Sequence, residues 1–340
     1  MDIKQAISHV VAGEDLTEPA SEAVMQQIMS GQATEAQIGG FLVALRLKGE
    51  TVEEVTGFAR AMRHHAIPIR PHQKILADTC GTGGDSSGTI NISTMAAFVV
   101  AGAGLAVSKH GNRAVSSNCG SADVLQALGL RLELTPAQVT ECIDRVGIGF
   151  LFAPRLHPAM KYAIGPRREM GIRTVFNILG PLTNPAGAQV QVIGVYDRTL
   201  TETMAQVLSA LGSQAAFVVH GADGLDELST TGPNWVTRLQ DGCIQSFTLD
   251  PLDLGVPRAE LCDLKGGDAQ ENATIFRAVL DGKRGPQRDI VLLNSAACLV
   301  VGGLAGDFRE GLSLAAQSID SGAARSKLEA LVAFSNNGSV

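Results

Sequence analysis

Lys74-Ile75-Leu76-Ala77-Asp78, then Gly81-Thr82-Gly83-Gly84-Asp85, then the apolar run from Met95 to Ala101 form the stretch on which the fold turns. It reads as a short buried strand, a loop with three glycines in four residues, and a helix. Glycines tolerate positive φ and let bare N–H groups approach an anion. A helix start adds unpaired N–H groups and the positive end of its dipole, so phosphate is the natural occupant. Neither a G-x-G-x-x-G dinucleotide fingerprint nor the Gly-Lys-Ser/Thr ending of a P-loop is present.

The pattern continues outward from that unit. Strands are expected at 75–78, 105–108, 148–152, 190–196 and 215–219, alternating with helices at 94–102, 121–128, 136–146, 200–211, 270–281 and 289–302. Such alternation predicts a mostly parallel sheet with helices on its faces. Residues 234–248 read as a hairpin turning at Asp241-Gly242. Residues 1 to about 66 read as helices only, with capping boxes at Thr34/Gln37 and Thr51/Glu54. Pro68 and Pro71 make 66–71 a crossover that no helix can continue through. The expected fold class is α/β, with a small helical domain over 1–70 and a large α/β domain over 71–340.

Bulk properties narrow the function. A chain of 340 residues with 45% hydrophobic content and 38 glycines suits a packed α/β enzyme. A formal charge of −7 and 4% aromatics argue against a nucleic-acid binder. The absence of an apolar run of signal or membrane-spanning length predicts a cytoplasmic protein with no membrane partner. The six cysteines lack Cys-x-x-Cys spacing, so reduced thiols are expected rather than zinc or disulfides.

Three further segments carry chemistry. Ser86, Ser87, Thr89, Asn91, Ser93 and Thr94 supply six short polar side chains, more than one helix cap needs. Lys109-His110-Gly111-Asn112-Arg113-Ala114-Val115-Ser116-Ser117 follows an apolar strand, at the carboxyl end where open α/β sheets bind ligands; Lys109 and the amides of Ser116, Ser117 and Ser121 suit phosphate, whereas Arg113 reads as structural. Asp226-Glu227 places adjacent carboxylates after a buried strand, where a cation would offset their repulsion; Mg²⁺ prefers such a pair with phosphate oxygens. Asp223 reads as a turn former.

Taken in order, Gly81–Asp85, Asn91–Thr94, Lys109–Ser117 with Gly120–Asp123, Arg173–Pro185 and Asp223–Ser229 resemble the motifs of the anthranilate phosphoribosyltransferase family over nearly the whole chain. The resemblance implies the nucleoside phosphorylase/phosphoribosyltransferase fold and transfer of a phosphoribosyl group from phosphoribosyl diphosphate to anthranilate. It implies that Gly81, Gly84, Asp85, Thr89, Asn91, Ile92, Ser93, Thr94, the run 109–117 and Ser121 bind phosphoribosyl diphosphate, and that Gly81, Asn112 and Arg167 bind anthranilate. Ser93, Asp226 and Glu227 would hold Mg²⁺, two ions in all, and the protein would be a homodimer. Part of 160–185 would fold back to complete the small domain. Lys109, Asn112 and Arg167 would act by positioning, with no acid or base. Asn118-Cys119 departs from the family, which more often has a basic residue followed by serine; the roles of His110 and His157 stay open.

Two other readings stand beside this one. A pyrimidine nucleoside phosphorylase shares the implied fold but needs a lysine–serine phosphate loop, absent here, and has no task for Asp226-Glu227. A noncatalytic nucleic-acid-binding relative conflicts with the acidic charge. The thiols of Cys80 and Cys119 flank the phosphate motifs, and a helix start with nearby cations predicts a reactive thiolate at Cys119.

Overall fold

The computed structural model describes residues 1–85, 87–114 and 118–337. The chain opens with α1 (Ile3–Val11), α2 (Glu18–Met29), α3 (Glu35–Lys48) and α4 (Val52–His65). Both expected capping boxes form: Thr34 N–H donates to Gln37 Oε1 at 2.9 Å and Thr51 N–H to Glu54 Oε2 at 2.8 Å. Glu54 is fully buried, and it also accepts from Leu16 N–H and pairs with Lys48 Nζ at 3.0 Å, so one cap ties α3 and α4 to the connection between α1 and α2.

After the crossover come β1 (Ala77–Gly81), α5 (Ile92–Gly102), β2 (Val107–Gly111), α6 (Ser121–Ala127), α7 (Pro136–Val146) and β3 (Ile148–Phe152). The chain then leaves the sheet through α8 (Ala153–Leu156), α9 (Lys161–Met170) and α10 (Phe176–Leu179), and returns as β4 (Val190–Gly194), α11 (Leu200–Ala210) and β5 (Ala215–His220). The hairpin β6 (Asn234–Gln240) and β7 (Cys243–Leu249) follows, then α12 (Ala269–Leu280), α13 (Pro286–Val301), α14 (Phe308–Asp320) and α15 (Ala323–Asn337). Asp241 and Gly242 both take positive φ, at 50° and 79°, the signature of a two-residue type I′ hairpin turn.

These strands make one sheet in the order β3-β2-β1-β4-β5-β6-β7, parallel except for the antiparallel edge β6 and β7. Successive strands run to one side of β1 and then to the other, so the chain reverses direction between β1 and β4. A switch point of this kind opens a crevice at the strands' carboxyl ends. Side chains alternate across the sheet: Val190, Val192, Phe217 and Val219 pack on the face covered by α5 and α13, while Ile193, Ala216 and Val218 join the core that includes α2, α3 and α4. During its excursion α9 packs on α3 and α2, and α10 on α4.

Two strand expectations are corrected. The runs read at 75–78 and 105–108 lie at 77–81 and 107–111. Apolar runs mark the buried entrance of a strand, but here each strand continues into Gly81 or into Lys109-His110-Gly111, residues that carry no apolar signal. Helices α8, α9, α10, α14 and α15 add to those expected.

Candidate active site

The crevice at the switch point is occupied by Asp226. Its carboxylate accepts from Gly83 N–H at 2.6 Å, beneath the glycine loop. Gly81 and Gly194 are register partners at the ends of β1 and β4, and a Cβ on either would collide with Asp226, on its carboxylate at Gly81 and on its main chain at Gly194. The two glycines therefore exist so that an acidic residue can enter between the strands. Glu227 beside it accepts from Ser93 N–H at 3.0 Å, at the start of α5. Gly83 and Gly84 take φ of 72° and 79°, which turns the loop back over these carboxylates.

Burial, with Asp85 and Glu227 adding repulsion, pushes Asp226 well above the ordinary carboxylate range. Burial likewise raises Glu227 to about 7, opposed mainly by Lys109. A nearby cation would lower both values again, since it favours the charged forms. The donors are all oxygen, two carboxylates and the Ser93 hydroxyl, and fit a hard ion such as Mg²⁺. Among the described residues no three His, Cys, Asp or Glu side chains form a complete ligand set, so an ion here would share phosphate oxygens or water.

Lys109 is buried near the end of β2, its Nζ donating to the His110 carbonyl at 3.2 Å. His110 and His157 are buried with ring centroids 5.1 Å apart. Burial drives both imidazoles down, His110 to about 3 and His157 to about 4, so both are neutral; the Nε2 of each has no partner. Gly111 packs against Ser121, whose hydroxyl bonds the Asn112 main chain. Arg113 pairs with Asp123 at 2.9 Å and bonds Gln126, a structural arrangement, and Asp123 also accepts from Ala114 N–H and Gly120 N–H. Ile92 points into the core and Thr94 is buried, leaving Ile92 only its main chain for a ligand. Asn91 bonds the Cys119 carbonyl and accepts from Asn272; Thr89 bridges to Lys265. Asp85 accepts from the Ser87 hydroxyl at 2.7 Å. Val115, Ser116 and Ser117 lie outside the described residues.

On the acceptor side, Arg167 is half-buried over the Phe176 ring, 5.1 Å from its centroid, and no carboxylate pairs with it among the described residues. Desolvation lowers its pKa, so an arriving carboxylate would relieve a standing penalty. Asp223 is a turn former: it accepts from Leu225 N–H and from the Ser229 and Thr231 hydroxyls. The expected thiolate at Cys119 is corrected: the thiol is buried and desolvation raises its pKa, and Cys80 is raised well above the ordinary range. Burial outweighs the stabilisation that Asn272 and the start of α6 offer the thiolate.

Arg173 and Asn184 lie in the motif Arg173–Pro185 and Asp78 in the opening strand, but no pattern gave them their partners, and Lys265 belongs to no motif. Arg173 donates to the Gly84 carbonyl and stacks on Tyr196, 4.2 Å from its centroid. Lys265 donates to the Ser87 carbonyl, bracing the glycine loop from a distant segment. Asp78 and Asn184 meet beneath Lys109.

A glycine loop and an acidic pair at the switch point of a parallel sheet, beside a helical bundle, suit a phosphorylated ligand bound through a cation. Residues 73–325 match the glycosyl transferase family a/b domain and residues 4–66 its helical bundle domain. The chain is 60% identical over 332 residues to the anthranilate phosphoribosyltransferase of Moorella thermoacetica, covering 98% of both chains, and 56% identical to that of Pelotomaculum thermopropionicum, covering 98% and 97%. The Thermus thermophilus enzyme superimposes with a TM-score of 0.93 at 45% identity over 97% of this chain and 99% of that one. The Saccharomyces cerevisiae enzyme, solved with phosphoribosyl diphosphate and Mg, does so at 0.91 and 29% identity over 98% of each. The chain belongs to this glycosyl transferase family and, within it, to the anthranilate phosphoribosyltransferases.

Proposed function

We propose that this protein transfers the phosphoribosyl group of phosphoribosyl diphosphate to the amine of anthranilate, forming N-(5-phosphoribosyl)anthranilate and diphosphate in tryptophan biosynthesis. The observation that carries the reading is full-length identity of 60% to a relative of that activity, in a chain that keeps the buried acidic pair beneath its glycine loop.

An aromatic amine is neutral at pH 7 and already carries its lone pair, so no strong base is required. The demanding event is departure of diphosphate while positive charge grows on the sugar. The N–H groups of the Gly81–Asp85 loop, the start of α5 at Asn91–Thr94, and Lys109 with its neighbours as far as Ser121 bind the phosphates and stabilise the leaving oxygens. Asp226, Glu227 and Ser93 hold Mg²⁺, which when bound offsets charge on the diphosphate. Gly81, Asn112 and Arg167 orient anthranilate, with the carboxylate on the guanidinium, so that the amine stands behind C1. The neutral His110 and His157 present unpaired ring nitrogens without adding charge. Helices α1 to α4, joined by α9 and α10, act as one small domain bearing the acceptor against the α/β domain. Among the described residues no helix is long and apolar enough to cross a membrane. A cytoplasmic homodimer using two Mg²⁺ ions completes the reading.

The test is consumption of anthranilate fluorescence by the purified protein with phosphoribosyl diphosphate and Mg²⁺. Turnover that stops on chelation and resumes with Mg²⁺ is the expected result. A protein that leaves anthranilate untouched under these conditions does not have this function.

A further inference from the structure

The ladder between β1 and β2 has one register pair among the described residues, Ala77 with Val107, whereas β1 and β4 stay in register over five. Past that pair, side chains take over the main-chain groups of β2. Asp78, fully buried, accepts from His110 N–H at 3.1 Å through Oδ1 and from Asn184 Nδ2 at 2.8 Å through Oδ2. The same Asn184 Nδ2 donates to the Ser108 carbonyl at 2.8 Å, and Asn184 Oδ1 accepts from Ala186 N–H at 2.9 Å. Each polar group of the buried pair is thus used, and together they bracket Lys109.

Asn184 ends the excursion that carries Arg167 on α9 and His157 at the close of α8. Three passages between bundle and sheet run side by side there: Ile67 N–H donates to Leu156 O at 2.8 Å and Ile69 N–H to Pro185 O at 3.1 Å. Arg63 of α4 donates to Leu182 O at 2.7 Å and Gln191 of β4 to Pro181 O at 3.0 Å. At this junction the excursion meets the strands, and among the described residues the Asp78–Asn184 contact joins it by side chains to both β1 and β2 at the level of Lys109.

We propose that Asp78 and Asn184 form a clasp that sets the separation of the acceptor and phosphoribosyl half-sites, making both of them positioning residues for transfer. The inference rests on the function proposed above. Neither residue touches a reacting atom. Their work is to hold Lys109 on β2 and Arg167 on α9 in one frame, so that the amine and C1 meet at reacting distance; a misplacement of an ångström at such a pair of centres costs about 10²-fold in rate.

A positioning role separates two quantities that a merely structural role would move together. In Asn184→Ala, the dissociation constant for phosphoribosyl diphosphate with Mg²⁺, measured by calorimetry without anthranilate, is expected to stay within about threefold of the parent, because the phosphate half-site lies on the sheet. The kcat is expected to fall by about 10²-fold. Asn184→Asp alone sets two carboxylates together and is expected to lose kcat in the same way; it carries the same expectation should Asn184→Ala fail to fold. Asp78→Asn removes the carboxylate that accepts from Asn184 while keeping an amide oxygen for His110 N–H, and is expected to lose kcat with the same retention of phosphoribosyl diphosphate affinity. Loss of phosphoribosyl diphosphate affinity in step with kcat, or an unchanged kcat in Asn184→Ala, overturns the clasp. A parent protein without anthranilate turnover would instead remove the underlying function, and the two failures are distinct.

Discussion

Glu227 shows what a buried carboxylate costs the protein that holds it. Its carboxyl is raised from 4.5 to about 7, chiefly by burial. Because the folded value lies above the unfolded one, the folded chain binds the proton more tightly; this contribution to stability is complete below about pH 4.5 and is lost as pH rises through about 7. Glu227→Gln, which retains an acceptor for Ser93 N–H, is therefore expected to match the parent near pH 4.5 and to exceed it at pH 8 by up to roughly 3 kcal/mol, read from urea unfolding in the absence of Mg²⁺. A parallel pH dependence in both proteins would contradict this origin of the burden. The cysteines give a second residue-scale test. Cys243 and Cys262 are exposed, whereas Cys80, Cys119, Cys142 and Cys298 are buried. A thiol reagent should label the first two under native conditions, spare the other four and leave turnover intact; labelling at Cys119 in mass-spectrometric mapping would show that its pocket opens.

At the scale of elements, β1 and β4 end on paired glycines because an acidic turn from beyond β5 passes between them. An added methyl at Gly194 meets main chain rather than a flexible side-chain tip, so neither strand nor turn can yield cheaply. Gly194→Ala is expected to cost about 1–3 kcal/mol in stability, as overpacking does, and to depress Mg²⁺-dependent turnover through displacement of Asp226. Calorimetric unfolding and a Mg²⁺ titration of rate check both halves. The same pairing explains what periodicity could not see: β3 at Ile148–Phe152 and α7 at Pro136–Val146 fall where their apolar spacing and caps predict. The ends of β1 and β2, by contrast, are written in glycine, lysine and histidine, which carry no apolar period.

For the molecule as a whole, the open question is what covers the outer face of the bundle. Leu47 is 83% exposed and Val43, one turn earlier on α3, is 37% exposed, while Ile164 on neighbouring α9 is 53% exposed. Residues four apart share a helix face, and apolar groups gathered on one face mark a protein contact. The parent is expected to sediment as a dimer and Leu47→Glu as a monomer; a variant that remains dimeric places the interface elsewhere. Sequence alone determined the alternation that makes a mostly parallel sheet, the hairpin at Asp241-Gly242, the glycine loop and the acidic pair, since each is encoded within a few consecutive residues by spacing, backbone freedom or charge. Tertiary structure decided the rest. That Asp226 enters between Gly81 and Gly194, that Arg173 and Lys265 brace the glycine loop, and that Asp78 meets Asn184 more than a hundred positions away are consequences of strand order, because residues distant in the chain become neighbours only once the sheet reverses direction between β1 and β4.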